Sequence, residues 1–172
     1  MNVEDLKFLK VAIKKHPTTG MDLEFLIKQD AVAAMVINEK GDKTLLVKQY
    51  RPGVDKEVYE IPAGLIDPGE KAIDTLYREL AEETGYQPKD YNIICSSEQP
   101  LSVSPGYTQE KLYIYIVQLK NDSTTPQKLN LDEGEDLTNH WFKLSEVENM
   151  SQDMKTIFAL YLYKDMKSIE NS

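Results

Sequence analysis

Three glutamates on a single predicted helical turn constrain this chain more than any other feature of its sequence. Glu79, Glu82 and Glu83 stand at i, i+3 and i+4 of a stretch in which Ile73, Leu76 and Leu80 share one face. Pro68 and Gly69 precede the stretch and Gly85 closes it, so the spacing predicts a helix over about 71–84. Carboxylates so placed repel one another, and they sit at the helix end where the macrodipole disfavours anions. A solvated acidic face is the plain account, because glutamate is a common helix former. A hard-cation site is the sharper one: clustered carboxylates bind Mg²⁺ through oxygen while the ion keeps waters and engages phosphate. Arg78 beside the cluster, Glu70 at the helix start and the loop at Gly64 favour the second account. Gly64 permits close approach, so a backbone carbonyl at Ala63 is available as a further metal ligand.

Bulk composition narrows the partners. A chain of 172 residues with 41% hydrophobic content can bury one sizeable core and is short for two, so a single domain over 1–172 is expected. A net charge of −9 argues against nucleic acid, whose binders cluster Lys and Arg on one face. The same charge would repel a small phosphate ester unless divalent cations stood between protein and ligand. Cys95 is the only cysteine, which removes an internal disulfide or a cysteine metal site and fits a cytoplasmic setting. The N-terminal residues do not resemble a signal peptide, and the apolar run at 31–37 is too short to span a membrane.

Along the chain, apolar and polar residues alternate over 8–14 and 23–28 around a His16–Gly20 turn, which predicts a hairpin. Strands are expected over 31–38, 44–49, 58–61, 92–97, 111–119 and 139–144. The polar stretch at 120–139 is long for a passive connection. Ser145 and Glu148 have the spacing of a capping box before a short helix, and Met154, Ile157, Phe158 and Tyr161 mark the face of a C-terminal helix over 152–167 that packs on a sheet. These elements amount to a mixed, segregated α+β domain with two or three helices.

Taken together, Gly64, five residues, Glu70, seven residues and then Arg78-Glu79-Leu80-Ala81-Glu82-Glu83-Thr84-Gly85-Tyr86 resemble the signature of the Nudix hydrolases. Seven fixed residues coincide by chance at roughly one in 10⁸ per starting position. Tyr86 stands where that signature has a bulky aliphatic residue, a change in packing. The resemblance implies an α/β/α sandwich around a mixed sheet, with Glu79 and Glu83 as direct metal ligands and Glu82 ligating directly or through water. Arg78 then pairs with carboxylates to hold the catalytic loop, and Mg²⁺, or Mn²⁺ in its place, is the cofactor.

Three further segments resemble the ADP-ribose and nucleotide-sugar pyrophosphatase branch: Lys48-Gln49-Tyr50-Arg51, Glu60-Ile61-Pro62-Ala63-Gly64 and Ser104-Pro105-Gly106-Tyr107-Thr108-Gln109-Glu110. That likeness implies Arg51 at the diphosphate or base and Ser104 and Glu110 near the terminal sugar. It also implies a general base on the loop before the last strand, with Glu133 as base and Glu135 as an auxiliary metal ligand, or the reverse. ADP-ribose cut to AMP and ribose 5-phosphate is the expected reaction. Another nucleotide sugar or dinucleotide such as GDP-mannose or NADH, or a sensor that binds nucleotide without cutting it, are the alternatives. The branch commonly forms homodimers, and the strands over about 6–28 are the candidate contact.

Overall fold

The computed structural model describes residues 6, 9–97, 99–131, 134 and 136–170. Its first two strands, β1 (Lys10–Lys15) and β2 (Asp22–Ile27), pair antiparallel from Lys10 opposite Ile27 to Lys15 opposite Asp22 and form a sheet of their own. The hairpin is joined to the rest through Leu26, whose amide donates to Tyr107 O at 2.8 Å and whose carbonyl accepts from Gln109 N at 3.3 Å.

At the centre lies β3 (Ala31–Ile37), buried at every residue. Period-two alternation divides it between two cores, with Ala31, Ala33, Met35 and Ile37 in one and Val32, Ala34 and Val36 in the other. Coverage of both faces explains why its sequence is an unbroken apolar run. The next strand, β4 (Lys43–Arg51), pairs with β3 at Leu45 opposite Val36 and Thr44 opposite Ile37 and then diverges. Into the resulting fork go β5 (Lys56–Glu60), paired with β4, and β6 (Ala63–Leu65), paired with β3. Pro62, between them, cannot donate a hydrogen bond, but its carbonyl accepts the Ala34 amide at 2.9 Å.

The first helix, α1 (Ala72–Glu79), continues without a break into a wider π-helical turn over Leu80–Thr84, and Gly85 ends it at φ 77°. The uniform helix expected over 71–84 is therefore corrected: its last turn is wider than an α-helix, a form that recurs at functional sites. Beyond it come β7 (Tyr91–Ser96), β8 (Leu101–Ser102) and β9 (Lys111–Leu119). β9 runs parallel to β3, and β7 pairs with β9 through a bulge between Ile93 and Cys95. The last strand, β10 (Leu137–Lys143), lies outside β4 and gives the mixed order β10-β4-β3-β9-β7. It starts two residues before its expected position.

Two helices follow, α2 (Val147–Met150) and α3 (Met154–Glu170). Val147, Ala159, Leu160 and Tyr163 join the core on the Met35 face, whereas Leu76 and Leu80 join the one on the Val36 face, so the expected α/β/α sandwich is the observed fold. Two expectations fail here. No side chain caps α2, so Ser145 and Glu148 form no capping box; Glu146 instead accepts from the Lys143 amide at 3.1 Å. Of the face marked by Met154, Ile157, Phe158 and Tyr161, Ile157 is half-buried but the other three are exposed, at 62%, 44% and 54%, and Thr156, Ala159, Leu160 and Tyr163 are buried instead. Apolar residues encircle this helix, so periodicity alone allowed two stripes.

Candidate metal and diphosphate site

The site is built where the fork meets α1. Gly69, at φ 88°, turns the chain so that Glu70 reaches back, its carboxylate accepting from the Asp67 amide at 3.3 Å and the Thr75 hydroxyl at 2.7 Å. Arg78 lies among the acids of α1. Its Nε and Nη2 donate to the two oxygens of Glu70 at 3.2 and 3.0 Å, and its Nη1 donates to Glu79 at 2.6 Å and Glu82 at 3.2 Å. A further bond from Nη2 to Leu65 O, at 3.0 Å, fixes the loop before the helix. The hydrogen bond from Arg78, with that from Thr75, brings the Glu70 carboxyl down to about 2. The Glu70 hydrogen bond and the neighbouring Glu79 in turn raise Arg78 above its ordinary value despite partial desolvation, so the guanidinium stays charged.

Gly64 has a steric reason. A Cβ there would lie 1.8 Å from Cδ and Oε1 of Glu79, so the glutamate occupies the space a side chain would fill. Glu83 is 2% exposed and accepts from the Ala63 amide at 3.0 Å. Two carboxylates of the helix are thereby seated against the first two residues of β6.

The helix end is fastened from outside. Helices leave terminal carbonyls without internal partners. Here the carbonyls of Glu82, Glu83 and Gly85 accept from the Asn130 amide at 3.2 Å, Asn139 Nδ2 at 2.9 Å and the Gln127 amide at 3.0 Å. A Cβ on Gly85 would come within 2.2 Å of Gln127 O. The polar stretch before β10 is thus a strap across the acidic turn, with Leu129 and Leu131 packed on the adjoining core.

Gly64, Arg78, Glu79 and Glu82 border a cleft of ≈ 1350 Å³, and buried Glu83 lies behind Ala63, outside the residues that line it. The cleft brings together the expected residues Arg51, Ala63, Arg78, Glu79, Glu82 and Glu110. Glu110 is paired with Lys28 at 2.8 Å. Ser104 stands apart: it is exposed, its carbonyl closes a turn onto Tyr107 N and Thr108 N at 2.9 Å, and it is not among the cleft residues. Glu133 and Glu135 lie outside the described residues. The structure also brings in groups that sequence reasoning passed over, namely Lys28, Lys155 and Asn139. Asn139 and Lys155 carry no local pattern, because each meets its partner across a large gap in the chain.

The donor set suits a hard divalent ion. Glu70, Glu79 and Glu82 surround a single Arg78, Glu83 is seated on the Ala63 amide, every potential ligand is oxygen, and no cysteine or histidine intervenes. With Glu79 and Glu82 both turned onto Arg78, no three acidic, His or Cys side chains converge on one point among the described residues. A bound ion would therefore share these carboxylates with Arg78.

A family model described as the NUDIX domain matches residues 27–161. The chain is 35% identical over 129 residues to the ADP-ribose pyrophosphatase of Bacillus subtilis (strain 168), an alignment covering 75% of this chain and 60% of that protein. It is 28% identical over 138 residues to the ADP compounds hydrolase NudE of Escherichia coli (strain K12), covering 77% and 70%. A crystal structure described as an ADP compounds hydrolase shares the fold at a TM-score of 0.65 and 22% identity, over 96% of this chain and 97% of that one. No helix of the described residues is long and apolar enough to cross a membrane.

Proposed function

The chain belongs to the Nudix family, and we propose that it hydrolyses the diphosphate bridge of a nucleoside diphosphate sugar, with ADP-ribose cut to AMP and ribose 5-phosphate as the best-fitting reaction. One observation carries the reading: Glu79 fills the space over Gly64 while buried Glu83 holds the Ala63 amide, so the family's acidic helix and its glycine loop form one surface at the cleft. The relatives named for ADP-ribose and ADP compounds support the substrate class.

In this reading Glu79, Glu82 and Glu83, with the Ala63 carbonyl, would hold Mg²⁺, or Mn²⁺ in its place. Such an ion, when bound, supplies positive charge that offsets the diphosphate and makes a water more acidic. The chain's own residues do the rest. Arg78 keeps Glu70, Glu79 and Glu82 gathered and ties them to Leu65, which fixes the direction from which the acids meet the substrate. Arg51 binds a diphosphate oxygen and Glu110 lies toward the sugar. Water oxygen attacks one phosphorus, the bridging P–O bond breaks, and the bridging oxygen leaves on the other phosphate while a loop carboxylate takes the water's proton. Glu133 is that base and Glu135 an auxiliary metal ligand. A second copy of the chain, covering the exposed hairpin, and a cytoplasmic setting complete the proposal.

A panel of ADP-ribose, GDP-mannose and NADH, each with Mg²⁺ or Mn²⁺ and phosphatase-coupled phosphate release, tests it. The expected result is metal-dependent turnover with ADP-ribose foremost. Binding of nucleotide without product would replace the enzyme by a sensor.

A further inference from the structure

The cleft contains a second ionic cluster that the family signature does not include. Glu60, at the end of β5, is 3% exposed and divides its carboxylate between two cations. Oε1 accepts from Arg51 Nε at 2.5 Å, and Oε2 accepts from Lys155 Nζ in the first turn of α3. Lys155 also pairs with Asp153 at 3.1 Å. Asp153 is itself engaged at the start of α3, accepting from the Thr156 amide at 2.9 Å and the Thr156 hydroxyl at 2.6 Å.

A role in stability alone is a weak account of this cluster. The start of α3 is already fastened to the fork by the Ile61 amide donating to Thr156 Oγ1 at 2.8 Å and the Ser151 hydroxyl donating to Tyr59 O at 2.5 Å. A buried ion pair adds little net stability over well-packed apolar groups, because desolvation offsets the attraction. The arrangement does set the direction of donors. Guanidinium carries five N–H groups and ammonium three. Glu60 engages Arg51 through Nε, which leaves the Nη groups for another acceptor, and Glu60 with Asp153 leaves one donor on Lys155. Both cations line the same cleft as Glu79 and Glu82.

We propose that Lys155 is a substrate ligand that binds a diphosphate oxygen beside Arg51, and that Glu60 is the positioning residue that holds the two cations as a pair. The inference deepens the hydrolase reading and rests on it for the identity of the anion. Of the other cations in the cleft, Arg78 is engaged by the acids of α1 and Lys28 by Glu110, whereas a carboxylate set between Arg51 and Lys155 fixes the spacing of two cations as a flexible surface lysine would not.

Lys155→Met, Lys155→Arg and Glu60→Gln, with the apolar double variant Glu60→Leu/Lys155→Met as a control for folding, test it. Steady-state hydrolysis of ADP-ribose is measured with thermal melts, and binding of ADP is followed by calorimetry in metal-free buffer. Loss of a charge-assisted bond predicts a KM and an ADP Kd raised roughly 10- to 100-fold in Lys155→Met, with kcat changed less, and retention in Lys155→Arg. Glu60→Gln should raise both constants, and the double variant should melt near wild type yet bind as weakly as Lys155→Met. Unchanged KM and ADP affinity in Lys155→Met would overturn the proposal. If the wild type cuts no nucleotide sugar but Lys155→Met still weakens ADP binding, the hydrolase reading falls and the paired cations stand; if the wild type cuts ADP-ribose with Mg²⁺ but binds no ADP in metal-free buffer, the paired cations fall and the hydrolase reading stands.

Discussion

The acidic turn and the N-terminal hairpin both present periodic apolar residues, yet the fold treats them oppositely. Along α1 the apolar stripe disappears into the core, with Leu76 at 0% and Leu80 at 1% exposure; the carboxylates beside it are fastened by a guanidinium and the Ala63 amide, and three external donors hold the backbone carbonyls at the helix end. Along the hairpin Val11, Ile13 and Leu23 remain exposed, Ile13 at 62%. Periodicity thus marks residues that gain from burial without saying what covers them. In the first region this chain supplies the cover, and the chemistry is fixed upon it. In the second the exposed apolar residues stand on both faces of the hairpin, Val11 and Ile13 on one and Leu23 on the other, left for a second copy to cover.

The contrast can be broken most severely at Glu83. Glu83→Gln should lower turnover roughly a hundredfold or more, since even groups that only support metal ligands are worth 10- to 100-fold. Mn²⁺ titration by calorimetry should show weakened binding while the melt stays close to wild type, and near-normal turnover would remove Glu83 from the site. Leu80→Ala should cost about 2–5 kcal/mol in a urea titration, because the residue is fully enclosed. A loss below about 1 kcal/mol would mean that the acidic turn does not depend on its core face. Gly85→Ala combines a positive φ with a backbone clash at Gln127, so a cost of about 1–3 kcal/mol is expected, together with faster amide exchange at Gln127 and Asn130. Unaltered exchange would separate the strap from the turn.

A smaller effect concerns pH. The Glu70 carboxyl is held at about 2 in the fold against 4.5 ordinarily, chiefly by Arg78. Its contribution is therefore fully present above 4.5 and is lost as pH falls through about 2. Glu70→Gln should flatten that part of the acid-unfolding profile, and an identical profile would show that Arg78 does not act through Glu70. The smallest change in stability belongs to the hairpin. Ile13→Lys should leave the melt within about 0.5 kcal/mol of wild type, as an exposed position allows. Light scattering should report half the particle mass if a second copy covers this edge, and an unchanged mass would turn the edge back to water.

Much of this was legible because the informative residues are close in sequence. Gly64, Glu70, Arg78, Glu79, Glu82 and Glu83 lie within one loop and helix, and their spacing alone implied the carboxylate cluster that Arg78 gathers. The strand over 31–37 was equally plain as an apolar run between turns, although its central place and its burial on both faces came only with the sheet. Contacts between distant segments were not. Lys155 meets Glu60 across 95 positions and Asn139 meets Glu83 across 56, and neither leaves a local pattern. The buried side of α3 was misread because its apolar residues encircle the helix, so only the sheet decides which stripe turns inward. The wide last turn of the acidic helix was invisible for the same reason: the donors at its end come from residues 127–139.

The fork between β3 and β4 has a consequence for how such a chain can diversify. Because β5 and β6 each hold to a different prong, and the Ile61-Pro62 bend between them is bonded through the Ile61 amide to Thr156 and through the Pro62 carbonyl to Ala34, a residue gained or lost there would pull Ala63 out of register with Ala33. Ligand preference is therefore left to drift at the outer rim of the cleft, while the turn that seats Glu79 and Glu83 is tied to the register of the central strand.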